Sequence, residues 1–335
     1  MQSQFNSGNS AGRGKKVLAL FPGALGDFIC FLPALNRLAE ERPVDLLARA
    51  EYADLTPPGV HAGSLERREV SRLFAPAAPE PEDAAALARF FAPYERVYSW
   101  TGGGDRNFTG RIESAAGERA KVFPFRPAAA PPHISDYYLE CVGARAGEAL
   151  PEVAPRPEAL AWGRRWLAER GLGGKKILAV APGSGAREKN WPREFFRAVE
   201  AWWERETGGK CLELRGPVEA ERWLDDDGDG VTVARDLTLA RAAALLSLAD
   251  AYIGNDSGVT HLAAAVGVET IALFGPTDPD GWAPRGRRVT VASRRVECSP
   301  CARETMKNCP HHKCLTGLMP RQVIELLELP ARRRV

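Results

Sequence analysis

The chain has 335 residues, enough at about 150 per domain for two domains, and its 44% hydrophobic and 26% charged content is that of a folded protein rather than a disordered one. Lys and Arg number 45 against 43 Asp and Glu, so the formal net charge of +2 gives no general case for a nucleic-acid partner, although Arg332-Arg333-Arg334 would favour an anionic surface. The longest apolar stretch, Val17 to Leu35, is broken by Pro22, Gly23, Gly26, Asp27 and Pro33 and does not read as a membrane span. Seven cysteines, an odd number in a long chain, do not read as a secreted disulfide framework.

Residues 1–14 are polar and Gly/Ser-rich, with no apolar signal core, and read as a disordered leader of a cytoplasmic protein. Lys16 to Phe21 is a short apolar run ended by Pro22-Gly23, as in a buried parallel strand. From Asp27 the apolar residues Phe28, Phe31, Leu32, Leu35 and Leu38 recur at helical spacing. Val44 to Ala48 and Arg96 to Trp100 read as further strands, with Pro57-Pro58 and Ala75 to Pro81 as loops. The proline-punctuated zone from Ala128 to Pro157 reads as an interdomain connection holding a short helix near Tyr137 to Val142.

A second strand, Pro-Gly turn and helix then repeat the opening of the chain. Lys176 to Ala181 is the strand, Pro182-Gly183 the turn, and Pro192 to Arg205 the helix, preceded by a helical segment at Ala161 to Glu169. Strands are predicted at Cys211 to Leu214, Val231 to Val233, Ala251 to Ile253 and Thr270 to Phe274, and helices at Leu239 to Leu248, Val259 to Val266 and Arg321 to Glu328. Alternation of this kind specifies an α/β protein with doubly wound sheets. The two matching beginnings imply two Rossmann-like domains facing across a cleft, over residues 15–155 and 156–319.

Four segments carry the residue types that do chemistry. Gly23-Ala-Leu-Gly-Asp27 lies where the first strand turns into a helix, a place where glycines admit a ligand and the helix N-terminus favours anions. It is not G-x-G-x-x-G, so no dinucleotide fingerprint is present. Asp27 has two readings here, helix cap and catalytic carboxylate. In the second half, Pro182-Gly-Ser-Gly-Ala-Arg-Glu-Lys-Asn-Trp-Pro192 offers Ser184 and Lys189 for a diphosphate, with Trp191-Pro192 also explained as the start of a helix. Asn255, Asp256, Ser257 and Gly258 end a strand, and His261 follows about one helical turn on, a cluster suited to phosphate and sugar hydroxyls or, more simply, to capping and a buried histidine. Asp256, Ser257 and His261 do not form a hydrolase pattern, since G-x-S-x-G is missing. Thr277, in Leu273-Phe-Gly-Pro-Thr-Asp-Pro279, would meet a phosphate or a base at the same edge.

The last cluster is Cys298, Cys301, Cys309 and Cys314, with His311 and His312 between them. The first pair has zinc-like C-x2-C spacing, but the second is tighter than most zinc modules. Reduced thiols or a conditional disulfide are therefore favoured over a structural zinc. Cys30, Cys141 and Cys211 lie in apolar segments and read as core.

Taken in order, Pro22-Gly-Ala-Leu-Gly-Asp27 with Leu32-Pro-Ala-Leu35, Pro182-Gly-Ser184 with Lys189-Asn-Trp-Pro192, Gly254 to Gly267, Leu273 to Pro284 and the cysteine tail resemble glycosyltransferase family 9, the heptosyltransferases. The resemblance runs from about Lys16 to Leu327. It implies the GT-B architecture, with an acceptor domain first and a nucleotide-sugar domain second. A C-terminal helix and basic tail over 320–335 are allowed by that architecture to return to the first domain. It implies ADP-heptose as donor, no required cofactor, and a lipopolysaccharide inner-core acceptor reached from the cytoplasmic membrane face. By carry-over, Asp27 is the general base and Lys189 stabilises the leaving diphosphate. Ser184, Ser257, Gly258 and His261 line the phosphates, Asp256 holds sugar hydroxyls, and Glu219 or Glu221 grips the ribose. Arg49, Arg106 and Arg111 are candidates for acceptor contact. The competing readings are a GT-B enzyme with another donor, an epimerase, and a non-catalytic nucleotide-sugar-binding protein. Oligomeric state is not readable from the sequence.

Overall fold

A computed structural model of the chain describes residues 15–76, 80–127, 133–216 and 231–328. One compact unit holds the described residues up to Pro22, Leu38–Ala50 and Pro58–Phe125. Strands β1 (Lys16–Leu20), β2 (Val44–Ala48), β3 (Val60–Ser64), β4 (Tyr94–Ser99) and β5 (Ala120–Val122) form its sheet. They run in the order β3-β2-β1-β4-β5, all parallel among the described residues. Helix α1 (Leu25–Glu41) follows β1 and carries Pro33 in its interior. Helices α2 (Arg68–Leu73), α3 (Pro81–Phe91) and α4 (Arg106–Ala116) contribute Val70, Leu73, Leu87, Phe91, Phe108 and Ile112 to a core shared with Leu18, Leu20 and Val97.

Three edge strands and the three helices α2, α3 and α4 are among the elements that escaped the pattern reading, each for a local reason. β3, β5 and, in the second unit, β11 are edge strands with half-exposed sequences, so none presents an apolar run. α2, α3 and α4 are short and bury only two or three residues each. Pro81, read as the end of a loop, instead occupies the first turn of α3, where a missing N–H costs nothing.

The second unit holds Gly23–Arg37, Glu51–Pro57 and everything described from Arg126 onward. After α5 (Ile134–Cys141) and α6 (Pro157–Glu169) come β6 (Ile177–Ala181), α7 (Arg193–Thr207), β7 (Lys210–Leu214), β8 (Thr232–Ala234) and α8 (Leu239–Ser247). Then follow β9 (Ala251–Asn255), α9 (Gly258–Val266), β10 (Glu269–Phe274), α10 (Pro279–Trp282) and β11 (Val289–Ser293). Short helices α11 (Arg303–Lys307) and α12 (Lys313–Thr316) precede α13 (Pro320–Glu328). The sheet order is β11-β10-β9-β6-β7-β8. Ala181 pairs with Gly254, and Asn255 with Leu273, so the loops leaving β6, β9 and β10 emerge side by side at one sheet edge. Ligands bind at this edge in open parallel sheets.

The grouping differs from the expected boundary near 155. The proline-rich zone read as a connection is packed into the second unit: Ile134, Tyr138 and Leu139 of α5 are buried, and Tyr138 meets Phe31 edge-on at 5.8 Å. The Val153 N–H donates to Ala265 O at 3.0 Å. Residues 51–57 join the same unit through a Phe28–Tyr52 ring stack at 4.3 Å. Helix α13 belongs to the second unit. Its Val323 is fully buried in the second unit's core with Trp191, Phe196 and Trp203, and the helix packs on α7; residues 329–335 lie outside the described set. Among the described residues no helix is long and apolar enough to cross a membrane.

One buried amide ties the loop after β6 to the end of β9. Asn255, fully buried, donates from Nδ2 to Pro182 O at 2.7 Å and accepts the Trp191 N–H at 2.9 Å. Asn255→Ala strands a buried carbonyl and a buried N–H. It is expected to lower unfolding free energy by about 1–3 kcal/mol for each group left unpaired. Urea denaturation measures this, and a change within about 0.5 kcal/mol, the range of an ordinary surface substitution, would contradict the clamp.

Candidate functional site

A cavity of about 260 Å³ lies within the second unit, and Asp27, Arg126, Lys189, Asp256, His261 and Trp282 are among the residues that line it. Asp27 reaches it from the first turn of α1. There the two readings of this residue turn out to be compatible. Oδ2 accepts the Ala24 N–H at 3.2 Å, the reach-back bond of a helix N-terminus, while Oδ1 accepts from Arg126 at 3.2 Å in the cavity. Burial raises the Asp27 pKa above its ordinary value. Arg126, the Ala24 N–H and Lys189 oppose that rise without cancelling it.

Lys189 closes a short turn, Arg187–Lys189, that the Asn255 clamp anchors at Trp191. Its Nζ donates to Asp256 Oδ2 at 2.6 Å, and Thr277 Oγ1 donates to the same oxygen at 2.8 Å. Asp256 ends the strand–loop step before α9, whose first residue is Gly258 and whose N-cap is Ser257. The Ser257 hydroxyl lies 3.1 Å from Thr260 Oγ1 and makes no capping bond to the backbone. The first-turn N–H groups of α9 thus border a cavity that also holds an ammonium, an arrangement suited to an anion.

His261 is buried, and burial pushes its pKa down to about 4, so the ring is neutral at physiological pH. Its Nδ1 lies 3.5 Å from Cys30 Sγ. Arg126, besides pairing with Asp27, stands over the Trp282 ring at 4.4 Å. The loop bearing Trp282 is braced against α5. Arg285 grips both Asp136 oxygens at 2.6 and 2.7 Å, and His133 Nε2 donates to Ala283 O at 2.8 Å because its Nδ1 accepts the Ser135 N–H.

Of the residues singled out from the sequence, the structure brings Asp27, Lys189, Asp256, Ser257, Gly258, His261 and Thr277 to this one cavity. Ser184 does not join them. It is buried, and its hydroxyl is engaged by Ala186 O and Asn190 Oδ1, each at 2.6 Å, while Gly185 takes its place on the cavity wall. Glu219 and Glu221 lie outside the described residues. Arg111, a candidate for acceptor contact, is committed to structure: it donates to Arg72 O and Ala75 O at 2.6 and 2.7 Å. Arg49 is exposed, and Arg106 begins α4.

The four C-terminal cysteines are free thiols, near enough for Cys298, Cys301 and Cys309 to act electrostatically on Cys314. Cys314 sits in the hydrophobic core, Cys298 is exposed, Cys301 Sγ donates to Cys298 O at 2.9 Å, and Cys309 Sγ lies 3.7 Å from His311 Nδ1. Among the described residues no group of three or more His, Cys, Asp or Glu is disposed to hold a metal ion. Cys30 and Cys211 are buried, as expected of core residues, and Cys141 is half-buried. Sequence reading missed Arg126 and Trp282. Arg126 sits in no periodic segment, and only the fold puts it beside Asp27.

Residues 136–312 match the profile of the family described as glycosyltransferase family 9 (heptosyltransferase). Lipooligosaccharide heptosyltransferase 2 of Campylobacter jejuni is 29% identical over 165 residues, 45% of this chain and 50% of that protein. The chain thus spans about half the length of the curated relatives it matches. Two solved structures resemble nearly the whole chain. The glycosyl transferase family 9 protein from Veillonella parvula has a TM-score of 0.73 at 19% identity, covering 96% of this chain and 98% of that one. The E. coli ADP-heptose lps heptosyltransferase II has a TM-score of 0.66 at 18% identity, covering 93% and 97%. At such identities the likeness establishes the fold, the α/β GT-B architecture of these proteins.

The environment of Asp27 makes a direct prediction. Carbon-13 NMR titration of its carboxyl is expected to give a pKa above 3.8, so that the ionised fraction falls as pH drops through the raised value. Arg126→Ala removes a contribution that lowers the pKa and should move it further up. A parent value at or below 3.8 would contradict burial as the dominant influence.

Proposed function

We propose that this chain, which belongs to glycosyltransferase family 9, the heptosyltransferase family, moves a heptose from ADP-heptose to a sugar of the lipopolysaccharide inner core with inversion at the anomeric carbon. The observation that carries this reading is that the Asp27 carboxylate and the Lys189 ammonium line one cavity at the N-terminus of α9. A base and a cation so disposed match the two charges that an inverting glycosyl transfer develops.

As the bond between the anomeric carbon and the diphosphate oxygen breaks, positive charge grows on the sugar and negative charge on the departing ADP. The acceptor hydroxyl attacks the opposite face of the anomeric carbon and gives its proton to Asp27, whose raised pKa makes it a better proton acceptor than an ordinary aspartate. Lys189 and the first-turn amides of α9 stabilise the diphosphate leaving with the bonding electrons. Neutral His261 adds a hydrogen bond without a charge. Asp256, already held by Lys189 and Thr277, takes sugar hydroxyls. The ribose falls to Glu219 or Glu221, after β7. ADP-heptose, named for a structural neighbour, and the lipopolysaccharide and lipooligosaccharide cores, named for the relatives, are the substrates we assign. The lipid-linked acceptor brings the chain to the cytoplasmic membrane face as a peripheral protein.

The test is ADP release from ADP-heptose with truncated lipopolysaccharide cores. Turnover is expected with one core and not without acceptor. Asp27→Asn should lower kcat by about 10²–10⁴ fold with little change in donor KM, and Lys189→Ala by about 10²–10³ fold. Donor binding without turnover on any core, or release of an epimerised sugar without acceptor, would overturn the assignment.

A further inference from the structure

The Cys30 thiol is buried at 1% exposure in α1, about one turn beyond Asp27, and the sequence reading left it as core filler. Its surroundings are not those of a filler. Sγ lies 3.5 Å from Nδ1 of His261. The opposite edge of that ring, Cδ2 and Nε2, is turned to Gly26 in the cavity wall, 3.2 and 3.6 Å from where a Cβ on that glycine would stand. Near the thiol, close enough to lower its pKa, is the Ser135 hydroxyl, fully buried and with no hydrogen-bond partner among the described residues.

We propose that Cys30 is a positioning residue: its S–H donates to Nδ1 of His261 and thereby holds the single ring proton on Nε2, where it is offered to the ligand in the cavity. Both groups are neutral at physiological pH, since burial pushes the thiol up to about 12 and the imidazole down to about 4. One proton therefore occupies the ring, and the thiol decides where. The unprotonated imidazole nitrogen is a strong acceptor and thiol sulfur a weak one, so S–H to Nδ1 is preferred over Nδ1–H to sulfur. The Ser135 hydroxyl, donating to Sγ, leaves the S–H free for the ring. The opposite tautomer would aim a lone pair at the region where α9 and Lys189 favour an anion. This relay, Ser135 to Cys30 to His261, settles the hydrogen bonding of an otherwise orphaned hydroxyl.

The tautomer stands on the geometry alone; its effect on the leaving diphosphate rests on the function proposed above. The experiment reads the two separately. Long-range proton–nitrogen NMR of the full chain with ¹⁵N-labelled histidine, His261 being assigned by its loss in His261→Gln, is expected to show the Nε2–H form, unchanged between about pH 6 and 8. Cys30→Ala should populate the Nδ1–H form, and Cys30→Ser, which keeps a donor, should restore Nε2–H. In the transfer assay Cys30→Ala should raise donor KM by about tenfold, the scale of one hydrogen bond, with acceptor KM unchanged and recovery in Cys30→Ser. An Nδ1–H ring in the parent, which is decisive even if the alanine variant does not fold, would overturn the proposal. So would a serine variant that matches alanine, or an unchanged donor KM in Cys30→Ala. Expected spectra with no turnover of ADP-heptose by the parent would uphold the tautomer and reject the donor.

Discussion

Two glycines decide how close the first turn of α1 comes to the start of α9. A Cβ on Gly258 would stand 2.8 Å from the Cβ of Leu25 and 3.0 Å from the backbone nitrogen of Gly26, and one on Gly26 would press on the His261 ring at 3.2 Å. Any side chain at Gly258 must therefore push the two segments apart. With hydrogen at both positions, the N-termini of two helices meet, bringing Asp27 from the first half of the sequence next to Asp256 and His261 from the second. The rest of the cavity is arranged around that approach.

Close packing of this kind also sets the electrostatics. The Asp27 carboxylate loses solvent as α9 comes near, and Arg126 and Lys189 offset only part of the resulting rise in pKa. The Lys189–Asp256–Thr277 cluster keeps an ammonium at the mouth of α9 in a set geometry, with the loop behind it pinned by Asn255. Positions held in advance need little rearrangement when charge develops, which is how a site of fixed dipoles and charges favours a transition state. The brace from Asp136 and His133 to the Trp282 loop serves the same end on another wall.

The buried strands β1, β2, β6, β9 and β10 were readable as apolar runs because both sheet faces are covered, so nearly every residue in them had to be apolar. Edge strands and lightly buried helices lacked that pressure and left weaker marks. The site was legible to the extent that its residues cluster at strand-to-helix turns, where glycines and short polar side chains stand out. Ser184 shows the limit: its neighbours in the sequence are those of a phosphate loop, yet its hydroxyl turns back into its own loop, to Ala186 O and the Asn190 side chain.

Taken alone, the sequence determined the alternation of strands and helices, the two Pro-Gly beginnings and the turns that carry Asp27, Lys189 and Asp256, since these follow from local periodicity and backbone chemistry. Only the tertiary structure decided that residues 23–37 and 126–155 pack with the second unit, that Arg126 is the partner of Asp27, and that Cys30 meets His261. Those contacts join residues 99 and 231 positions apart. No local pattern encodes such pairings, because they arise from the burial of whole surfaces against one another and not from the spacing of neighbours along the chain.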